Sequence, residues 1–160
     1  MKTSSRLSHI GRIIPVALAL SAGASAFAQT PAASCQKVDE KQIASLFDRW
    51  NASLKTQDAS NVAANYAPDA VLLATVANEP LTTPTAIRGY FQKFLAAAPQ
   101  GTINKQFITI GCNIAQDVGT YTFALNDGTQ VKARYTYVYE YRAGDWKIKH
   151  HHSSVMPAKE

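Results

Sequence analysis

The sequence predicts an α+β fold, with three helices ahead of a mostly antiparallel sheet. Three observations predict it. Apolar residues between positions 43 and 54 recur at helical spacing. After Gly101 the chain turns to β-branched and aromatic runs separated by turn signals. The resulting order, α-α-β-α-β-β-β-β, keeps helices and strands in blocks, which argues against a doubly wound parallel sheet.

Each element follows from local chemistry. Ile43, Leu46, Phe47, Trp50 and Leu54 fall on one face of a first helix, with Asp39 as its cap. Asp58 caps a second, short helix that turns Val62, Ala63 and Tyr66 inward; Pro68 disfavours helix at Ala67 and ends it. "AVLLA" (70–74) reads as a short buried strand and "NEPLTTP" as a loop. Thr83 followed by Pro84 is a cap and first-turn signal for a third helix carrying Ile87, Phe91, Phe94 and Leu95. "KQFITIGC" and "DVGTYTFAL" are the next strands, and "NDG" (126–128) is a hairpin turn. "TQVKARYTYVYEY", the turn "RAGD" and "WKIKHHHSS" complete the sheet, and Pro157 closes it.

The N-terminus is of another kind. Lys2, Arg6 and Arg12 precede the apolar "IIPVALALSAGASA", and "AFA" ends at Ala28. This is the pattern of a secretory signal peptide over residues 1–28, and its apolar core falls short of the roughly 20 residues a membrane span needs. Residues 29–38 read as a flexible leader, and residues 39–157 as one domain. The expected location is periplasmic or secreted, with no membrane contact after cleavage. Part of the formal charge of +5 belongs to the signal peptide, and no Lys/Arg run marks a nucleic-acid footprint. Cys35 and Cys112 are the only cysteines. Export makes a disulfide between them the expected state, against the alternative of two free thiols.

His150, His151 and His152 are the only histidines outside the signal segment. Strict strand alternation puts Trp146, Ile148, His150, His152 and Ser154 on one face and Lys147, Lys149, His151 and Ser153 on the other. The Trp/Ile face is the buried one, so the expectation is that His150 and His152 point in and His151 out. Three readings of the inward pair stay open: a metal site, for which further ligands are needed, histidines held only by structural hydrogen bonds, or the wall of a ligand pocket. No metal and no cofactor are expected. On the preceding strand Tyr135, Tyr137, Tyr139 and Tyr141 share a face, and Tyr135 and Tyr137 offer hydroxyls to the imidazoles or to a ligand. Arg134, on the opposite face, suits a ligand, a subunit contact or a solvated edge.

These residues carry a resemblance. Trp146, Ile148, His150, His152 and Ser154 fit a W-x-I-x-H-x-H-x-S ending, "GD" (144–145) precedes it, and "YAPDAVLL" (66–73) and "IRGYFQKF" (87–94) add weaker support. Over residues 39–157 the chain resembles the association (hub) domain of calcium/calmodulin-dependent protein kinase II, within the nuclear transport factor 2-like superfamily, and more closely its exported bacterial stand-alone relatives. The resemblance implies a cone: a curved sheet wrapped on helices around a pocket, with oligomerisation through the outer sheet face. A hub histidine of the third helix falls on Lys93, and two hub arginines that bind small carboxylates fall on Ser153 and Leu125.

The expected function is therefore a secreted, oligomeric association-domain-like protein that binds a small molecule in its cone. His150, His152, Ser154, Tyr135, Tyr137, Arg134 and Lys93 are its candidate binding residues, and further copies of the chain are its expected partners. The sequence shows no kinase domain, so kinase activity and calmodulin binding are not carried over. Two alternatives remain. One is an isomerase, dehydratase or cyclase using His150 or His152 as base. Ketosteroid-isomerase-like members place an acid where this chain has Ala74, and SnoaL-like polyketide cyclases also use acids within the cone. The other is a purely structural oligomerisation module with a filled cone.

Overall fold

A computed structural model describes residues 34–158. The predicted signal peptide and the start of the leader lie outside the described residues. The elements are α1 (Glu40–Leu54), α2 (Ala59–Ala63), β1 (Tyr66–Leu73), α3 (Pro84–Phe94), β2 (Gln100–Ile110), β3 (Ile114–Ala124), β4 (Gln130–Arg142) and β5 (Asp145–Val155). The architecture is α+β, as expected: helices first, then one five-stranded sheet in the order β1-β5-β4-β3-β2. All pairings are antiparallel except β1 with β5.

The helix starts follow their capping chemistry. Asp39 accepts from the Gln42 amide and Gln42 returns a bond to the Asp39 amide, so two orphan donors of α1 are satisfied together. Asp58 caps α2 and Thr83 caps α3, with Pro84 in its first turn. Ile43, Leu46, Phe47, Trp50 and Leu54 are all buried, so the apolar stripe of α1 is its inner face. Tyr66 departs from expectation: it opens β1 rather than closing a helix. β1 begins four residues earlier than the "AVLLA" core suggests.

The β4–β5 turn needs two residues, Ala143 and Gly144, both at positive φ (51° and 87°). That is the twist-matched geometry of a tight hairpin. On the inner face of β4, Tyr135, Tyr137 and Tyr139 are buried, as alternation predicts. The first half of β5 also obeys it, with Trp146 and Ile148 buried.

The second half of β5 does not. Tyr139 pairs with Ile148, but the next residue of β4, Val138, pairs with His150. Lys149 is the extra residue of a β-bulge, so Lys149 and His150 both turn away from the core and the parity flips. His151 is therefore the buried histidine, at 3% exposure, while His152 is exposed and His150 half-buried. The expected faces of the triplet are reversed. The neighbouring strand is broken at the same level. β1 loses register with β5 between Tyr66 and Val71, where Pro68 has no N–H to give the ladder. Asp69 projects from that break and bonds the Lys149 ammonium at 2.5 Å and the Arg142 guanidinium at 3.0 Å. These cations hold its carboxyl down at about 2.

Cys35 and Cys112 form a disulfide, as expected, across a sequence separation of 77. In the chain-entropy picture a loop of this size stabilises the fold by about 4–5 kcal/mol. Asn113 adds to the tie: its side chain accepts from the Gln36 amide at 2.7 Å and donates to the Ser34 carbonyl at 3.0 Å.

Candidate functional site

The helices do not fill the concave side of the sheet. A cavity of about 930 Å³ remains between α3, the segment following β1, and β3, β4 and β5. Trp50, Phe91, Tyr121 and Phe123 supply much of its apolar wall, and Gly89 of α3 leaves open space where a Cβ would stand. Interiors are otherwise close-packed, so a gap of this size calls for an occupant or a reason.

The polar part of the wall opposite α3 is a short strip of His151 and Ser153 on β5 and Thr75 just beyond β1; α3 adds Tyr90 and the exposed Gln92 and Lys93. Tyr121 donates its hydroxyl to Ser153 Oγ at 2.6 Å, and Ser153 Oγ shares a further 2.6 Å bond with Thr75 Oγ1. Burial raises the Tyr121 pKa well above the usual phenol range, so the hydroxyl stays protonated and donates.

His151 is held on three sides. Its Nδ1 pairs with the Tyr66 hydroxyl at 2.8 Å, its ring stacks on Tyr137 at 4.1 Å, and Trp50 packs edge-on at 5.7 Å. Nε2 is buried and has no hydrogen-bond partner among the described residues. Burial drives the imidazole pKa down to about 3, with the neighbouring His150 and His152 adding to the effect, so the ring is neutral near pH 7. The Trp50 indole N–H is close enough to the Tyr66 oxygen to oppose the rise of its pKa, though it completes no hydrogen bond of ordinary geometry.

A second buried polar group lies farther along the sheet. Asp117 of β3 is fully buried; it accepts from the Tyr135 hydroxyl and the Gln106 amide, both at 2.9 Å. Burial raises its pKa, against the lowering effect of those two donors. It does not line the cavity.

The model of the calcium/calmodulin dependent protein kinase II association domain matches residues 39–157. The chain belongs to that family. Among solved structures, a Xanthomonas campestris protein provisionally described as such an association domain is 45% identical, over 76% of this chain and 90% of that one, with a TM-score of 0.72. A nuclear transport factor 2-like protein of unknown function from Pseudomonas putida is 18% identical, over 76% and 89% of the two chains, at a TM-score of 0.66. A Nostoc punctiforme protein of unknown function with a cystatin-like fold is also 18% identical, over 78% and 96%, at 0.66. The last two share the fold. No curated protein is significantly similar to the chain.

The association-domain cone gathers a different set of residues from the one its sequence suggests. Lys93 lines the cavity, with its side chain at the exposed rim. Tyr135 is buried but bonds Asp117 rather than a histidine. Tyr137 is buried against His151, and its hydroxyl has no hydrogen-bond partner among the described residues. Arg134 is on the outer face and reaches only the Val155 carbonyl, at 3.4 Å. His152 and Ser154 flank a separate, smaller depression of about 400 Å³, and His150 lines neither space. A base inside the cone is thus not supplied by His150 or His152. The bulge at Lys149 is the physical reason, since it turns both rings out of the cone. Among the described residues no group of three His, Cys, Asp or Glu is placed to hold a metal ion.

Sequence reading missed Tyr66, Tyr121, Thr75, Ser153, His151 and Asp117. For Asp117 and Tyr121 a signal existed: both share the inner parity of β3 with Phe123. His151 and Ser153 were hidden by the bulge.

Proposed function

We propose that this association-domain protein is exported, self-associates, and takes up a small, mainly apolar molecule in its cone. The observation that carries the reading is the cavity of about 930 Å³, at the upper end of the 300–1,000 Å³ range usual for small-molecule sites. Its wall is mostly apolar, with a polar strip of His151, Ser153 and Thr75 and the exposed Gln92 and Lys93 of α3. Export is supported by the signal-like N-terminus and by the disulfide, which an oxidising compartment preserves. Self-association is supported by the outer sheet face. There Phe107 is 65% exposed, and its row continues through Val118 and Thr136 to His152.

The test uses N-phenyl-1-naphthylamine, a neutral dye that brightens in apolar surroundings. It should bind once per chain. Gly89→Trp should place an indole in the open space beside α3, abolish dye binding and leave the melting temperature unchanged or higher, since glycine is a poor helix residue. Saturable binding that survives in Gly89→Trp would locate the dye elsewhere and sink the reading. Light scattering of the same sample reads self-association, and Phe107→Glu should shift it towards monomer.

A further inference from the structure

Resting on that reading, we propose that the ligand of the cone is an uncharged, mainly apolar molecule that presents a hydrogen-bond acceptor, such as a ketone or ester carbonyl, to His151. The class follows from which hydrogens are left over. The Tyr66 hydroxyl has one hydrogen-bond partner among the described residues, His151 Nδ1, so its hydrogen and the imidazole tautomer are assigned together. Tyr66 then directs its single hydroxyl hydrogen to His151 Nδ1, across 2.8 Å. That assignment puts the ring hydrogen on Nε2. The other tautomer would leave the Tyr66 hydrogen buried without an acceptor and Nε2 as a bare lone pair, two unsatisfied groups in place of one.

The hydroxyl strip gives the same answer. Tyr121, Ser153 and Thr75 hold three hydroxyl hydrogens and make two bonds among themselves. Whichever of Ser153 and Thr75 donates, one hydroxyl hydrogen remains. This strip therefore ends with two spare donors, Nε2–H and one O–H. They belong to His151 and to Ser153 or Thr75; residues 151 and 153 stand about 7 Å apart along β5, the two-residue spacing of a β-strand.

Charge decides the remainder. His151 is neutral at pH 7 and offers no countercharge to an anion beside it. Among the described residues lining the cavity, Lys93 is the only cation, exposed at the rim, and there is no carboxylate. A carboxylate beside His151 would be a buried charge without a partner, which is far more costly than a buried carbonyl that accepts a hydrogen bond from Nε2–H.

The experiment compares 2-octanone with octanoate at pH 7, each displacing N-phenyl-1-naphthylamine from the full chain. The ketone should bind more tightly by about tenfold or more. In the double variant Tyr66→Phe/His151→Phe both polar partners vanish and shape is kept, so ketone affinity should fall about five- to tenfold while the dye still binds. Nitrogen-15 NMR of histidine-labelled wild-type protein gives an independent reading: His151 should be the Nε2–H tautomer, and 2-octanone should shift Nε2 more than Nδ1. An Nδ1–H tautomer, or ketone affinity unchanged in the double variant, overturns the proposal. So does tighter binding of octanoate that Lys93→Gln abolishes, because the polar end would then sit at the rim. If the dye binds but neither octyl compound displaces it, the acceptor proposal falls and the cavity reading stands. If the dye does not bind at all, both fall.

Discussion

Two polar groups are buried on the inner face of the same sheet, and they end differently. Asp117 sits where β3 and β4 are covered, with Tyr135 and Gln106 each donating to it. His151 sits at the wall of the cavity with one nitrogen bonded and the other bare. A closed cluster holds the sheet together and needs no further partner. A cluster left one bond short, beside empty space, has capacity for a visitor. The contrast separates architecture from site more sharply than burial does, since both groups are nearly inaccessible.

The comparison can be broken from the Asp117 side with the largest effect. At Gly119 a Cβ would stand 1.9 Å from the Lys105 carbonyl and 3.0 Å from the Tyr135 hydroxyl, because β2 is bulged between Ile103 and Lys105. Gly119→Ala should cost about 3 kcal/mol or more in urea unfolding, by forcing backbone apart. Asp117→Ala should cost about 2–3 kcal/mol, as it strands the Tyr135 and Gln106 donors. Neither change should alter dye affinity in the protein that remains folded. A Gly119→Ala protein as stable as the parent would mean the β2 bulge is absent.

The two clusters also bend the pH profile in opposite directions. The folded pKa of His151 lies at about 3, below the unfolded value near 6.5. Its contribution is complete above pH 6.5 and is lost as pH falls towards 3, because only the unfolded chain takes up the proton. Asp117 has a raised folded pKa, so its effect runs the other way: stability drops as pH rises from the ordinary Asp range through the folded pKa. Urea unfolding between pH 4 and 7 should therefore show a shallower acid limb in Tyr66→Phe/His151→Phe, by up to about 1.4 kcal/mol per pH unit. Asp117→Asn should remove the opposing slope. Identical slopes in parent and double variant would mean that His151 is solvated. The smallest change is Thr75→Val, expected to cost about 1 kcal/mol by removing one bond of the hydroxyl strip.

Much of the fold was legible because it rests on local rules. Asp39, Asp58 and Thr83 cap helices as their types predict, the stripe from Ile43 to Leu54 is buried, and Tyr135 to Tyr139 point inward. The candidate site was less legible because it depends on pairing between strands. Alternation fixes a side chain's face only while the ladder is regular. The ladder of β5 is broken at Lys149 by a coincidence of Pro68, Asp69 and Arg142, which are distant in sequence. Lys93 was found through the family resemblance, which places a hub histidine at that position of the third helix. Asp117 was overlooked although its parity with Tyr121 was countable. The cavity is an absence of side chains across α3, and no single stretch of sequence announces it.

The bulge has a further consequence for how this strand accommodates change. Were Lys149 absorbed into a regular ladder, the half of β5 beyond it would slide by one position and turn over. His150 would then stand at the level of His151, and His152 at that of Ser153. At the level facing Tyr137 the cavity would still meet an imidazole. Three identical residues in a row keep an imidazole facing Tyr137 through a slip of one, while the hydroxyl level of the wall would exchange Ser153 for His152.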